Sequence, residues 1–154
     1  MWIIYVDADA CPVKEEIYKV AKRFEIKVVI AANNPMRIPN HPLVELVEKK
    51  GFDGVDDWIA LMCETGDLVI TADIPLAARS LAKGAHVLDP RGKPFTESDI
   101  GYALASRDLM NELRQSGEIT GGPAPMTPKD RSRFLAKLDE TLHKLKKLGT
   151  QKKP

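Results

Sequence analysis

Five apolar residues, Trp2-Ile3-Ile4-Tyr5-Val6, run directly into Asp7-Ala8-Asp9-Ala10-Cys11-Pro12, and no other stretch limits the fold of this chain as tightly. A run of β-branched and aromatic side chains closed by polar ones predicts a strand buried on both faces, the habit of parallel sheets covered by helices. Two carboxylates at its exit then stand where the buried strand meets water. Open α/β sheets keep their ligands at that edge. Pro12 suits the first turn of a helix, and Ile17, Val20, Ala21 and Phe24 recur at helical spacing among Lys14, Glu15, Glu16, Lys19, Lys22 and Arg23. Asp7 and Asp9 are therefore expected in a strand-to-helix turn. Two acids so close repel each other, and a turn alone would be served by a single Asp or a Gly, so a divalent cation is the simplest compensation.

The rest of the chain repeats the alternation. Val28 to Ala31 predict a second strand, closed by Asn33-Asn34-Pro35. Leu43, Val44, Leu46 and Val47 fit a short helix or a strand, and the strand is preferred. Asp56-Asp57 precede Trp58, Ile59, Leu61 and Met62, read as the apolar face of a helix that Gly66 ends. One of the two acids is expected to cap that helix start, which leaves the other spare. Asp67 to Asp73 predict another buried strand with Asp73 at its exit, Ile74 to Gly84 a compact helix, and Ala85 to Leu88 a last strand releasing Asp89. Beyond Phe95 only helices are expected. Thr96 or Ser98 caps a run with Ile100, Ala103, Leu104, Leu109, Met110 and Leu113 inward and Gly117 closing it; a loop follows from Gly121 to Pro125. Thr127-Pro128-Lys129-Asp130 opens a final helix with Phe134, Leu135, Leu138, Leu142 and Leu145 as its stripe. The expectation is an α/β fold of three layers, a mainly parallel sheet flanked by helices, with C-terminal helices after it.

With 154 residues, 44% of them apolar, one domain over residues 1–148 has enough material for a proper core. No apolar run nears the ~20 residues of a membrane span, and the start does not read as a secretory signal, so a cytoplasmic protein is expected. Cys11 and Cys63, without a CxxC or a Cys/His cluster, predict reduced thiols and neither a disulfide framework nor a zinc site. The formal charge of +1 hides an asymmetry: from Lys129 onward nine Lys/Arg face three Asp/Glu, so the bases gather at the end and the acids in the body. Residues 149–154 are taken as a basic tail, and the segment from Lys144 onward as dispensable for stability. It can track a phosphate backbone or simply be solvated.

Strands joined by helices through right-handed crossovers run parallel, so their C-terminal ends share one edge. Asp7, Asp9, Asp73 and Asp89 are expected there, and the helix starting at Asp56-Asp57 faces the same edge. Such a set of carboxylates does not stay charged without a partner, and hard oxygen ligands suit Mg²⁺ or Mn²⁺. Dinucleotide binding, Walker-type nucleotide hydrolysis and serine-hydrolase work are not supported, because the glycine patterns they need are missing.

The segments VDADACP, Arg37 with Pro39, GFDGVDDWIA, GDLVITADIPLAARSLAKGA, Pro90-Arg91-Gly92 and Gly121-Gly122-Pro123 together resemble the bacterial YaiI/YqxD family of uncharacterised proteins, over Trp2 to about Leu138. That family looks related to the PIN-domain-like fold, whose nucleases hold Mg²⁺ or Mn²⁺ with acids at the ends of parallel strands and cut RNA. The resemblance implies catalytic roles for Asp7, matching the first-strand acid, and Asp73, matching the acid of the T-x-D element. It makes Asp57 the mid-chain helix acid, where PIN proteins typically carry Glu, and implies a metal set of Asp7, Asp9, Asp57 and Asp73. Asp9, Cys11 and the Gly-Gly-Pro loop have no standard counterpart there. On this reading the reaction is metal-assisted phosphodiester hydrolysis. Arg37, Arg91 and Lys93, in loops, are candidates to bind substrate phosphate, and Thr71 is a candidate to orient an acid.

Three rival readings share the residues. An apolar strand followed by Asp-x-Asp also opens the haloacid-dehalogenase-like phosphatases, but Gly66-Asp67 precedes its strand and so faces the other edge. Thiol chemistry at Cys11 is opposed by the adjacent carboxylates, which raise a thiol pKa. The third is a non-catalytic RNA- or protein-binding module with a structural metal site.

Overall fold

The computed structural model describes residues 2–101 and 125–151. Five parallel strands, β1 (Ile4–Asp7), β2 (Val28–Ala32), β3 (Val44–Glu48), β4 (Leu68–Ile70) and β5 (His86–Leu88), form one sheet in the order β3-β2-β1-β4-β5. β1 lies at the centre, with Val6 in register with Ile30 on one side and Ile70 on the other. The helices that lie wholly within the described residues are α1 (Lys14–Phe24), α2 (Gly54–Met62), α3 (Ile74–Ala82) and α4 (Pro128–Gln151); residues 97–101 are also helical, and a 3₁₀ turn, Ala8–Ala10, follows β1.

Alternation along each strand divides the core in two. Ile4, Val6, Val28, Ile30, Leu68 and Ile70 face α1 and α4, where Ile17, Val20, Phe134, Leu138 and Leu142 meet them. Tyr5, Val29, Ala31, Val69 and Val87 face α2 and α3, against Val55, Ile59, Leu76 and Ala77. Burying each such aliphatic side chain is worth roughly 1.5–3 kcal/mol, so the three central strands, apolar toward both layers, fix the sheet. The expected α/β fold, with a parallel sheet flanked by helices and a C-terminal helix, is what the chain adopts. The preferred strand at Val44 is present as β3.

Several local expectations are corrected. Pro12 lies in the turn before α1 and not in its first turn. α2 ends at Met62, with Cys63 at its C-cap, four residues short of the expected Gly66; Gly66 instead sits at φ +93° in the turn into β4. The inward face of α2 is Val55, Ile59 and Ala60 rather than the Leu61 and Met62 expected, which are 74% and 43% exposed. Neither Asp56 nor Asp57 caps α2, whose N-cap position is Asp53. Asp67 is buried, and its carboxylate accepts from the backbone N–H of Ile3 at 2.9 Å and of Glu64 at 2.8 Å, tying the start of β1 to the α2–β4 turn.

The Thr127 signal holds as a reciprocal cap: Asp130 N donates to Thr127 Oγ1 at 3.1 Å, and Thr127 N to Asp130 Oδ2 at 3.0 Å. Thr96 Oγ1 likewise accepts from Asp99 N at 3.1 Å, and residues 97–101 are helical. The expected inward run from Ala103 to Leu113, Gly117 and the Gly121–Ala124 part of the loop lie outside the described residues. α4 continues to Gln151 and Leu145 is buried in the core, so the segment from Lys144 onward is not dispensable for stability. No described helix is long and apolar enough to cross a membrane.

Candidate acidic site

The strand order reverses at β1. From it the chain builds outward first through β2 and β3, then on the other side through β4 and β5, which opens a crevice at the C-terminal ends of β1 and β4. Asp7, the last residue of β1, is 7% exposed there. Thr71, buried just past β4, donates its hydroxyl to Asp7 Oδ2 at 2.9 Å and accepts from Asp73 N at 2.9 Å. One hydroxyl therefore aims the Asp7 carboxylate and fixes the backbone of Asp73. Asp73 is the N-cap of α3, its Oδ1 accepting from Leu76 N at 2.8 Å, and Pro75 in the first turn favours the helical start. Asp7 Oδ1 and Asp73 Oδ2 accept no hydrogen bond among the described residues.

Asp56, in the first turn of α2, completes the crevice. Burial, then repulsion from Asp73 and Asp7 and more weakly from Asp53 and Asp57, pushes its carboxyl up to about 6. Burial also raises Asp7, opposed by the Thr71 hydrogen bond and reinforced by the charges of Asp73 and Asp9. Repulsion of this kind favours the neutral acid in the absence of a cation and favours cation binding in its presence.

Asp9 stands at the crevice's β2 side, exposed, its Oδ2 accepting from Asn33 N at 2.9 Å. Asp57 points to solvent, where Arg79 pairs with it at 2.7 Å. Between the two neighbours in sequence, Asp56 is the one that feels the charges of Asp73 and Asp7. Asp89 is used by its own turn, Oδ1 accepting from Arg91 N at 2.9 Å and Lys93 N at 2.8 Å. The Arg91 guanidinium pairs with Asp130 at 3.1 Å. Arg91 and Lys93, with Arg133 and Lys137, line an open groove of about 550 Å³ at the exit of β5, beside β4. Arg37 is exposed in the loop after β2, on the far side of β1 from that groove. Cys11 is buried, which pushes its thiol up to about 11, so it is a neutral, inert side chain at physiological pH.

Among the described residues, no group of three or more His, Cys, Asp and Glu is drawn together tightly enough to hold a metal ion outright. The acids form an open set. Its donors are nonetheless of the right chemistry for Mg²⁺ or Mn²⁺: hard carboxylate oxygens, two of the acids raised by burial and mutual charge, with free oxygens on Asp7 and Asp73.

Two residues of this arrangement carry a weak sequence signal. Asn33 reads as a turn residue, yet it holds Asp9 and, through Nδ2, the carbonyl of Gly51 at 2.8 Å. Asp56 shares a helical stripe with buried Ala60, whereas Asp57 shares one with Leu61, whose apolar character misleadingly suggests the inward face.

The family described as uncharacterized, YaiI/YqxD, matches residues 5–144. Among similar curated proteins, a UPF0178 protein of Rhodopseudomonas palustris (strain HaA2) is 56% identical over 143 residues, 92% of this chain and 87% of that one. UPF0178 protein bll3966 of Bradyrhizobium diazoefficiens is 53% identical over 145 residues, 94% of this chain and 87% of its own length. No solved structure matches.

Proposed function

The chain belongs to the YaiI/YqxD family, and from that premise and the crevice geometry we propose that it is a PIN-like, metal-dependent ribonuclease of the bacterial cytoplasm, hydrolysing RNA phosphodiesters. One observation carries the reading: Thr71 bridges Asp7 and the backbone of Asp73 at the switch point of a parallel sheet, and the charged neighbours that shift Asp7 and Asp56 are themselves acids. Asp7 and Asp73 would hold Mg²⁺ or Mn²⁺ through their free oxygens, with Asp9, whose charge reaches Asp7, and Asp56, which responds to it, as further acids. When bound, the cation supplies charge that activates water near neutral pH and offsets the phosphate. The chain's own contribution is positional. Thr71 keeps Asp7 in one rotamer, the α3 cap keeps Asp73 in another, and Arg91 and Lys93 offer donors to the next phosphate along the β5 side.

A metal kept for stability alone is less well supported, because the β1–β4 edge is already closed by the Thr71 bridge and the Asp73 cap, which need no cation. The test is Asp73→Asn. Asn retains an oxygen for the Leu76 N–H and removes the charge, so the fold should survive while Mn²⁺- or Mg²⁺-dependent cleavage of single-stranded RNA falls by orders of magnitude. Wild-type protein without cleavage under either metal, or Asp73→Asn cleaving at the wild-type rate, would overturn the reading.

A further inference from the structure

Phe52, at the tip of the loop between β3 and α2, is 99% exposed. Single exposed apolar side chains are ordinary, so exposure alone says little. Its anchoring says more. The preceding Gly51 sits at φ +104°, a conformation a side chain would strain, and its carbonyl accepts from Asn33 Nδ2 at 2.8 Å and from Gly54 N at 3.3 Å. The backbone N–H of the same Asn33 holds Asp9 at 2.9 Å. On the other side, Asp53 is the N-cap residue of α2 and one of the charges acting on Asp56. The ring thus follows Gly51, which Asn33 ties to the Asp9 turn, and precedes Asp53, the N-cap residue of α2, whose charge reaches Asp56.

We infer that Phe52 is a stacking platform for one unpaired nucleobase of a single-stranded nucleic acid whose phosphate lies at the Asp7–Asp73 crevice. The inference rests on the nuclease reading and names the form of its substrate. A nucleobase offers an uncharged flat face that pays no electrostatic penalty among Asp9, Asp53 and Asp56, and an aromatic ring in water gains by covering that face. A duplex hides both faces of every base. Selection of single strands then follows from the loop and not from the acids.

The experiment measures equilibrium binding of a labelled single-stranded oligonucleotide and of the same backbone made abasic, with Ca²⁺ in place of Mn²⁺ and strand integrity checked on a gel. Phe52→Ala should weaken the base-bearing strand roughly 5- to 150-fold, the factor equivalent to 1–3 kcal/mol of stacking, and leave the abasic strand unchanged. Phe52→Trp should restore or tighten binding. Equal affinity of wild type and Phe52→Ala for the base-bearing strand, equal losses on both strands, a change of oligomeric state in Phe52→Ala, or no binding by wild type would each overturn the inference. The two readings fail separately: a base-dependent loss in a protein that never cleaves leaves the platform standing, and cleavage with no such loss removes the platform alone.

Discussion

Asp56→Asn removes one repelling carboxylate from the crevice and keeps the side chain's size. With its carboxyl raised to about 6 against an ordinary 3.8, Asp56 binds a proton more readily in the folded chain than in the unfolded one. Stability must therefore fall as pH rises from about 4 to about 6 and stay lowered above that, the reverse of a salt-bridged acid. A shift of about 2 units corresponds to a ceiling of ~3 kcal/mol, and because Asp56 is only half-buried, solvent screening brings the expected cost at pH 7.5 to ~1–2 kcal/mol. Loss of the acid from the first turn of α2 subtracts ~0.5 kcal/mol of helix-dipole stabilisation from the gain. In EDTA at pH 7.5 the variant should thus melt roughly 1–6 °C above wild type, given about 2–4 °C per kcal/mol for a chain of this size. At pH 4.5 most of that difference should vanish, since the folded Asp56 is then protonated. Asp57→Asn is the control: it breaks the exposed pair with Arg79 and should change stability by less than ~1 kcal/mol, downward. Adding Mn²⁺ should raise the wild-type melting temperature more than that of Asp56→Asn. An Asp56→Asn melt equal to or below wild type at pH 7.5, or a gain that does not depend on pH, would falsify the electrostatic account of the crevice.

Other perturbations read other parts of the same structure. Thr71→Val keeps the shape but strips Asp7 of its hydroxyl donor and Asp73 N of its acceptor, so urea unfolding should show a loss of ~1–3 kcal/mol, and cleavage should fall even in saturating Mn²⁺; unchanged stability would mean the bridge is not formed. Asp67→Ala leaves the Ile3 and Glu64 amides without their acceptor and should cost ~2–4 kcal/mol by urea unfolding while leaving Mn²⁺ affinity of the folded protein untouched, because Asp67 sits at the opposite end of β4. Truncation at Lys144 should cost ~2–5 kcal/mol through the lost Leu145 side chain, whereas removal of residues 152–154 alone should leave the melt unchanged and lower the salt slope of RNA binding by up to two units if Lys152 and Lys153 touch phosphate.

What the sequence reveals of this molecule follows from which interactions are local. β1, β2 and β4 are legible because burial on both faces demands uninterrupted apolar runs, and Asp7 and Asp73 are legible because each ends such a run. The shared edge follows from the handedness of the crossovers, so the meeting of Asp7 with Asp73 needs no knowledge of any side-chain contact. Thr71 is different. Its spacing two residues before Asp73 hints at a turn, but the hydroxyl acts on Asp7, 64 residues away, and only the parallel pairing of β1 with β4 supplies that contact. The same holds for Asp67, which resembles an ordinary strand boundary in sequence and is a buried double acceptor in space. α2 fails in the opposite way. Its nine residues carry too many apolar side chains for periodicity to single out one face, and Leu61 and Met62 outweigh the small Val55 and Ala60 in any reading by hydrophobicity. Small Ala60 is buried in the layer that holds Tyr5 and Val69 while larger Leu61 stays outside, as close packing favours, and on the helix so turned Asp56 feels Asp7 and Asp73 while Asp57 pairs with Arg79. Which of two adjacent acids sits with Asp7 and Asp73 is therefore settled by the volume of a residue one helical turn away.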